Sequence, residues 1–153
     1  MENSVIITTP RSNNLEQIIA TLADWQQDRD VIQLHPGDIG WFQRFGEKAT
    51  SDALRLWEKD GQLASIGMMD GSDLLRIALN PAFETDTELA EQMAKDIDEI
   101  LEAGACLEAR SADLLRKKLS KANWKEGEPW TSLALDLTES PKEADLEIKE
   151  VGE

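Results

Sequence analysis

The chain contains no tyrosine, one cysteine (Cys106) and one histidine (His35). Without tyrosine, no phenol is on hand to give or take a proton. A lone thiol excludes an intrachain disulfide framework and a thiolate zinc cluster, and it suits a reducing compartment. A single histidine without a carboxylate at a defined spacing does not specify a closed coordination shell, so no metal is expected. Positive charge is scarce as well: 16 Lys and Arg stand against 31 Asp and Glu, for a formal net charge of −15. Such a field repels phosphates and anionic headgroups, which argues against nucleic acid and membrane as partners. No window approaches the apolar length of a membrane span. The start, Met1-Glu2-Asn3-Ser4-Val5-Ile6-Ile7-Thr8, lacks the basic region and apolar stretch of an export signal, so the expected location is the cytoplasm.

What remains is enough for a folded domain, since 153 residues with 41% hydrophobic content can bury a sizeable core. Val5–Thr8 reads as a short strand. Pro10 to Asn14 breaks the chain before Leu15, Ile18, Ile19, Leu22 and Trp25, whose spacing makes one apolar helical face. His35-Pro36-Gly37-Asp38-Ile39-Gly40-Trp41-Phe42-Gln43-Arg44-Phe45-Gly46 mixes turn residues with aromatics and reads as an ordered loop. A second helix is expected from about Lys48 to Lys59, with Ala49, Ala53, Leu54 and Trp57 inward and Asp60-Gly61 ending it. Two runs, 63–69 and 74–79, flank Asp70-Gly71-Ser72-Asp73 and predict an antiparallel hairpin. A strongly amphipathic helix follows from about Asp86 to Glu102, carrying Leu89, Met93, Ile97, Ile100 and Leu101 on one face and stopped by Gly104. A short buried strand over 105–109, a helix opened by Ser111 or Asp113 and running to about Ala122, and a closing strand over 131–137 complete the pattern. The fold class expected is α/β, with a mixed, largely antiparallel sheet flanked by helices. The domain is assigned to 1–138, and the charged stretch 139–153 is read as a tail or linker.

Few side chains are suited to chemistry. His35 and Asp38 are the one pair able to do acid–base work, because imidazole titrates near neutrality and a carboxylate can fix its tautomer. The Pro-Gly bend between them favours a structural use, with Asp38 bonding nearby backbone amides. Cys106 lies between Ala105 and Leu107, where burial would raise its pKa and make it a poor nucleophile. Trp41, Phe42, Phe45, Trp57, Trp124 and Trp130 could line a pocket for a planar or cationic group, with Arg44 facing an acid, although core and interface are the commoner uses of such residues. Arg116-Lys117-Lys118, with Lys121 and Lys125, is the one basic cluster; it could receive an acidic partner, but cations in the last turns of a helix complement its dipole, and a solvated face is the preferred reading.

The order of elements, together with the stretches His35–Gly46, Asp70–Pro81 and Glu128–Thr138, is similar to the GNAT N-acetyltransferase superfamily. It resembles in particular the N-terminal half of bacterial proteins that join two such domains in tandem. The similarity spans most of Leu34 to Thr138. What it implies is an acetyl-CoA-dependent family whose cofactor motif follows a strand ending in Val-x-Pro and reads Gln/Arg-x-x-Gly-x-Gly/Ala, with backbone amides gripping the pyrophosphate. Here the counterpart begins at Leu79-Asn80-Pro81, the motif's basic position and first glycine fall near Glu84 and Thr85, and its later glycine positions fall near Thr87 and Leu89. A helix N-terminus is a ready anion site, but glycine lets the phosphate approach the backbone, and carboxylates repel it. At ~5 Å and an effective dielectric of ~20, one carboxylate against one phosphate charge costs ~3 kcal/mol before screening. A micromolar affinity amounts to only ~8 kcal/mol. The family's late tyrosine, which protonates the departing thiolate, has no counterpart at Asn123-Trp124.

The resemblance therefore implies a domain that is not itself catalytic. No cofactor is expected for this chain alone, although acetyl-CoA serves the family. Its expected partner is a second GNAT-like domain, in the same polypeptide or a further copy, whose acceptor side it would support through Trp41, Phe42, Arg44 and Trp130. On this reading the chain is an excised part of a longer protein, and in the whole protein a deprotonated amine would attack the acetyl-CoA thioester. Two alternatives stand beside it: a self-sufficient acetyltransferase with an atypical cofactor site, and a non-enzymatic ligand-binding or interaction module.

Overall fold

The computed structural model describes residues 5–26 and 33–128. Within them the chain runs β1 (Val5–Thr8), α1 (Leu15–Gln26), α2 (Pro36–Phe42), α3 (Glu47–Ala53), β2 (Leu54–Lys59), β3 (Gln62–Met69), β4 (Leu74–Leu79), α4 (Thr87–Ile100), β5 (Cys106–Glu108) and α5 (Asp113–Lys121). The five strands form one sheet in sequence order, β1-β2-β3-β4-β5. The first three pairings are antiparallel, and β4–β5 is parallel. The class is thus α/β with a mixed, largely antiparallel sheet, as the sequence pattern leads one to expect. The closing strand expected over 131–137, Trp130 and the tail over 139–153 lie outside the described residues.

Alternation along the strands sorts the apolar residues into two cores. Leu54, Leu56, Ile66, Met68 and Ala78 point to one face and pack with Leu15, Ile18, Leu22, Trp25 and Ile39 of α1 and α2. Trp57, Leu75, Ile77 and Leu79 point to the other face and meet Leu89, Met93 and Ile97 of α4 and Leu115 and Leu119 of α5. Helices therefore cover both sides of the sheet, and neither amphipathic face is left without a counterpart. The same alternation turns Arg76, in the middle of β4, toward the α2 side.

Two expected elements are corrected. The helix expected from Lys48 to Lys59 ends at Ala53, and Leu54–Lys59 is a strand between β1 and β3. Ala49, Ala53, Leu54 and Trp57 satisfy a helical spacing, but Leu54 and Leu56 against Arg55 and Trp57 equally satisfy a period of two. Ladders on both sides decide the matter. The expected loop at His35–Gly46 is instead α2 followed by a 3₁₀ turn over Gln43–Phe45. Pro36 sits in the first turn, where its missing N–H is no loss, and Asp38 accepts a hydrogen bond from the His35 N–H at 2.7 Å. Burial of Ile39 then anchors the helix to the sheet.

Gly104 does not cap α4, which ends at Ile100 with Leu101 already extended. It lies in the following turn at a φ of +93°, a value that favours glycine. Gly67 has a different purpose: a Cβ there would come within 2.9 Å of the Trp57 ring, so its absence makes room for the indole.

Candidate functional site

Two places on the sheet could carry chemistry, and the first is where β4 hands over to α4. Leu79 ends β4 in the core. Asn80 then bridges the strands: its side chain donates to the Leu63 carbonyl at 2.9 Å and accepts from the Ala82 N–H at 3.0 Å. Pro81 begins a 3₁₀ turn over Pro81–Phe83, Thr85 and Thr87 are exposed, and Asp86 is the N-cap of α4. The Asp86 carboxylate accepts the Leu89 N–H at 2.9 Å, so one of the donors an anion could use at this helix end is already engaged.

Lys59, which the sequence pattern put on a helix, reaches this spot from β2. Its ammonium is buried and lies 2.7 Å from Asp86 and 2.9 Å from Glu88. The hydrogen bond to Asp86, then that to Glu88, outweigh the penalty of burial and hold the Lys59 pKa above its ordinary value. For Asp86, burial works upward, but the Leu89 N–H and the Lys59 ammonium together outweigh it and hold the carboxyl below its ordinary value. The acidic connection is therefore not a bare block of negative charge, and the repulsion expected from Asp86 and Glu88 is partly neutralised from within. What fills the site is side chains. Phe83, Leu89, Met93, Leu114 and Leu115 close around a cavity of about 10 Å³, room for no more than ~1 water molecule. A cavity of that size has no room for a pantetheine arm, and no step through acetyl-CoA is assigned to these residues.

The second place lies on the opposite face, between α2 and the β3–β4 turn. Arg76 is its hub, with Asp38 at 3.7 Å, Asp70 at 3.2 Å and Glu108 at 3.0 Å. These carboxylates come from α2, the hairpin turn and β5, so the ion cluster ties together elements that are distant in sequence. The β4–β5 ladder ends at the Arg76–Glu108 rung, and Ile77–Leu79 continue past it. Above Arg76 opens a cleft of about 880 Å³, walled by Trp41, Phe42 and Phe45. Phe42 meets Phe45 edge-on at 5.1 Å, and the Arg44 guanidinium lies 3.9 Å from the Trp41 ring centroid.

Of the side chains singled out in sequence, Asp38, Trp41, Phe42 and Arg44 come together here. The His35 ring stands beside Asp38 at 3.5 Å but is itself largely exposed. Leu79 to Thr87 form the separate, filled site. Cys106 is exposed rather than buried, because it starts β5 just beyond the turn that follows α4. Arg116 pairs with Asp113 and Glu126, and Lys118 with Glu91, so the basic cluster is partly neutralised. Arg76 and Lys59 were missed, although a lone cation within Leu74-Leu75-Arg76-Ile77-Ala78-Leu79 is itself a sign of partners elsewhere in the fold.

Asp38 as an N-terminal capping residue gives a direct test. Asp38→Ala should cost about 1 kcal/mol in urea denaturation, as lost caps do, whereas His35→Ala should stay within about 0.5 kcal/mol. An equal loss for both variants would mean that the side chain of the N-cap His35, the other half of this capping box, contributes as much as Asp38.

No protein-family model matches the sequence, and no curated protein matches it. A solved structure does resemble it. This is a predicted acetyltransferase from Clostridium acetobutylicum, crystallised with acetyl-CoA, at a TM-score of 0.49 and 13% identity over 86% of this chain and 96% of that one. The likeness assigns no activity to this chain. Among the described residues no helix is long and apolar enough to cross a membrane, and no cluster of three or more His, Cys, Asp or Glu is arranged to hold a metal ion.

Proposed function

We propose that this chain is a GNAT-like domain that keeps the architecture of the acetyltransferases without their cofactor site. In this reading it supports the acceptor side of a second GNAT-like domain instead of transferring acetyl groups itself. The observation that carries the proposal is the N-terminus of α4. Asp86 takes the Leu89 N–H, Lys59 neutralises the cap, and the surrounding cavity is about 10 Å³. The absence of tyrosine adds to it, since no phenol is present to protonate a departing thiolate. The partner is proposed to lie in the same polypeptide or in a further copy, with Trp41, Phe42, Arg44 and Trp130 toward it.

The reading is tested by mixing the chain with acetyl-CoA and a panel of primary amines while following release of free thiol. Release at the uncatalysed rate is expected. Turnover in the ordinary enzymatic range, about 1 s⁻¹ or faster, would replace this proposal with a self-sufficient acetyltransferase using an atypical site.

A further inference from the structure

The cleft over Arg76 shares Trp41, Phe42 and Arg44 with the surface proposed to face a second domain, and its own chemistry points to a small ligand rather than to a domain. Trp41 and Phe45 are 68% and 57% exposed, and both large hydrophobic surfaces stand at the mouth of one cavity of about 880 Å³. Exposed aromatic area beside a cleft of that size marks a ligand site, since small-molecule sites span roughly 300–1,000 Å³. The aromatic faces already hold a cation. The Arg44 guanidinium carbon lies 3.9 Å from the Trp41 centroid and 4.5 Å from that of Phe45. Asp38, Asp52 and Asp70 also line the cavity. Arg76 is engaged by Asp38, Asp70 and Glu108, and Lys48 pairs with Asp52, so an entering anion would have to compete with carboxylates already in place. The net charge of −15 opposes anions further.

We infer that this cleft binds a small guanidinium-bearing cation, which displaces Arg44 from the faces of Trp41 and Phe45. Arg44 is then an internal competitor. The apparent affinity equals the intrinsic affinity reduced by the fraction of molecules in which Arg44 has left the rings. This site lies on the opposite sheet face from the cofactor position, and the inference holds whether or not acetyl-CoA binds.

Calorimetric titration with argininamide, and with citrullinamide as its uncharged isostere, tests the inference. Saturable binding of argininamide is expected, at least about tenfold tighter than citrullinamide, the ratio that 1.4 kcal/mol of cation recognition gives. Trp41→Ala should weaken argininamide about tenfold or more. Arg44→Ala should tighten it about threefold or more by removing the competitor. The opposite signs distinguish displacement from a general loss of structure, and both residues are exposed, so thermal melts near that of the parent should confirm folding. A Gly-Arg-Gly peptide binding as tightly as argininamide places the guanidinium on a protein chain, and weaker binding places it on a free small molecule. Equal binding of citrullinamide, no effect of Trp41→Ala, or weaker binding by Arg44→Ala would each overturn the inference.

Discussion

Trp57→Ala is expected to lower the unfolding free energy by about 3–5 kcal/mol, the cost typical of emptying a large buried aromatic site. The indole is fully buried on the α4 side of the sheet, over the space left by Gly67. Its Nε1–H donates to the Asp96 carboxylate at 2.8 Å, and the other Asp96 oxygen accepts from the Gln92 amide at 2.8 Å. Removing the ring therefore opens a cavity and leaves a buried carboxylate oxygen without its donor. Trp57→Phe separates the two effects: it keeps most of the volume and loses the N–H, so it should cost about 1–3 kcal/mol. Against a total stability of about 5–15 kcal/mol for ordinary domains, the alanine variant is expected to be only marginally folded. Urea denaturation gives both values. A loss under about 1 kcal/mol for Trp57→Ala would mean that the β2–α4 contact is not a keystone of this core.

The second large effect belongs to Lys59→Met, expected to cost about 1–3 kcal/mol at neutral pH by leaving Asp86 and Glu88 facing each other without their shared cation. Its signature is the pH profile. Asp86 has a depressed pKa in the folded chain, so its contribution is present above the unfolded value of ~3.9 and is lost as pH falls through the lower folded value. Lys59 has a raised pKa, so its contribution is fully present below the unfolded value of ~10.4 and is lost as pH rises through the higher folded value. The stability difference between the parent and Lys59→Met should hold across the interval between those values and shrink at both ends. Thermal melts from pH 3 to 11 check it. A difference that does not vary with pH would assign the role of Lys59 to packing of its alkyl stem.

The legible parts of the fold were those where one period won outright. Leu15, Ile18, Leu22 and Trp25 on α1, and Leu89, Met93 and Ile97 on α4, allow only a helical reading, and all seven are buried. The 62–79 hairpin declared itself through Asp70-Gly71, with Gly71 at a φ of +79°. Leu54–Lys59 was illegible because its apolar residues fit two periods, and only pairing with β1 and β3 decides between them. The α2 helix was hidden by Pro36, Gly37 and Gly40, which read as turn residues although proline suits a first helical turn. At the candidate sites, the Trp41–Arg44 cluster was visible from residue order alone, whereas the motif positions laid on Glu84, Thr85 and Thr87 came only from the resemblance. The ion networks were not. Lys59 lies 27 residues from Asp86, and Arg76 lies 32 from Glu108, so nothing local announces either pair.

Calorimetric titration of the chain with acetyl-CoA at physiological salt tests the central claim most directly, because the claim is that the α4 N-terminus is occupied by the protein's own side chains. The account predicts no saturable heat, corresponding to a Kd weaker than about 1 mM; a Kd near 1 μM, about 8 kcal/mol of binding, would contradict it.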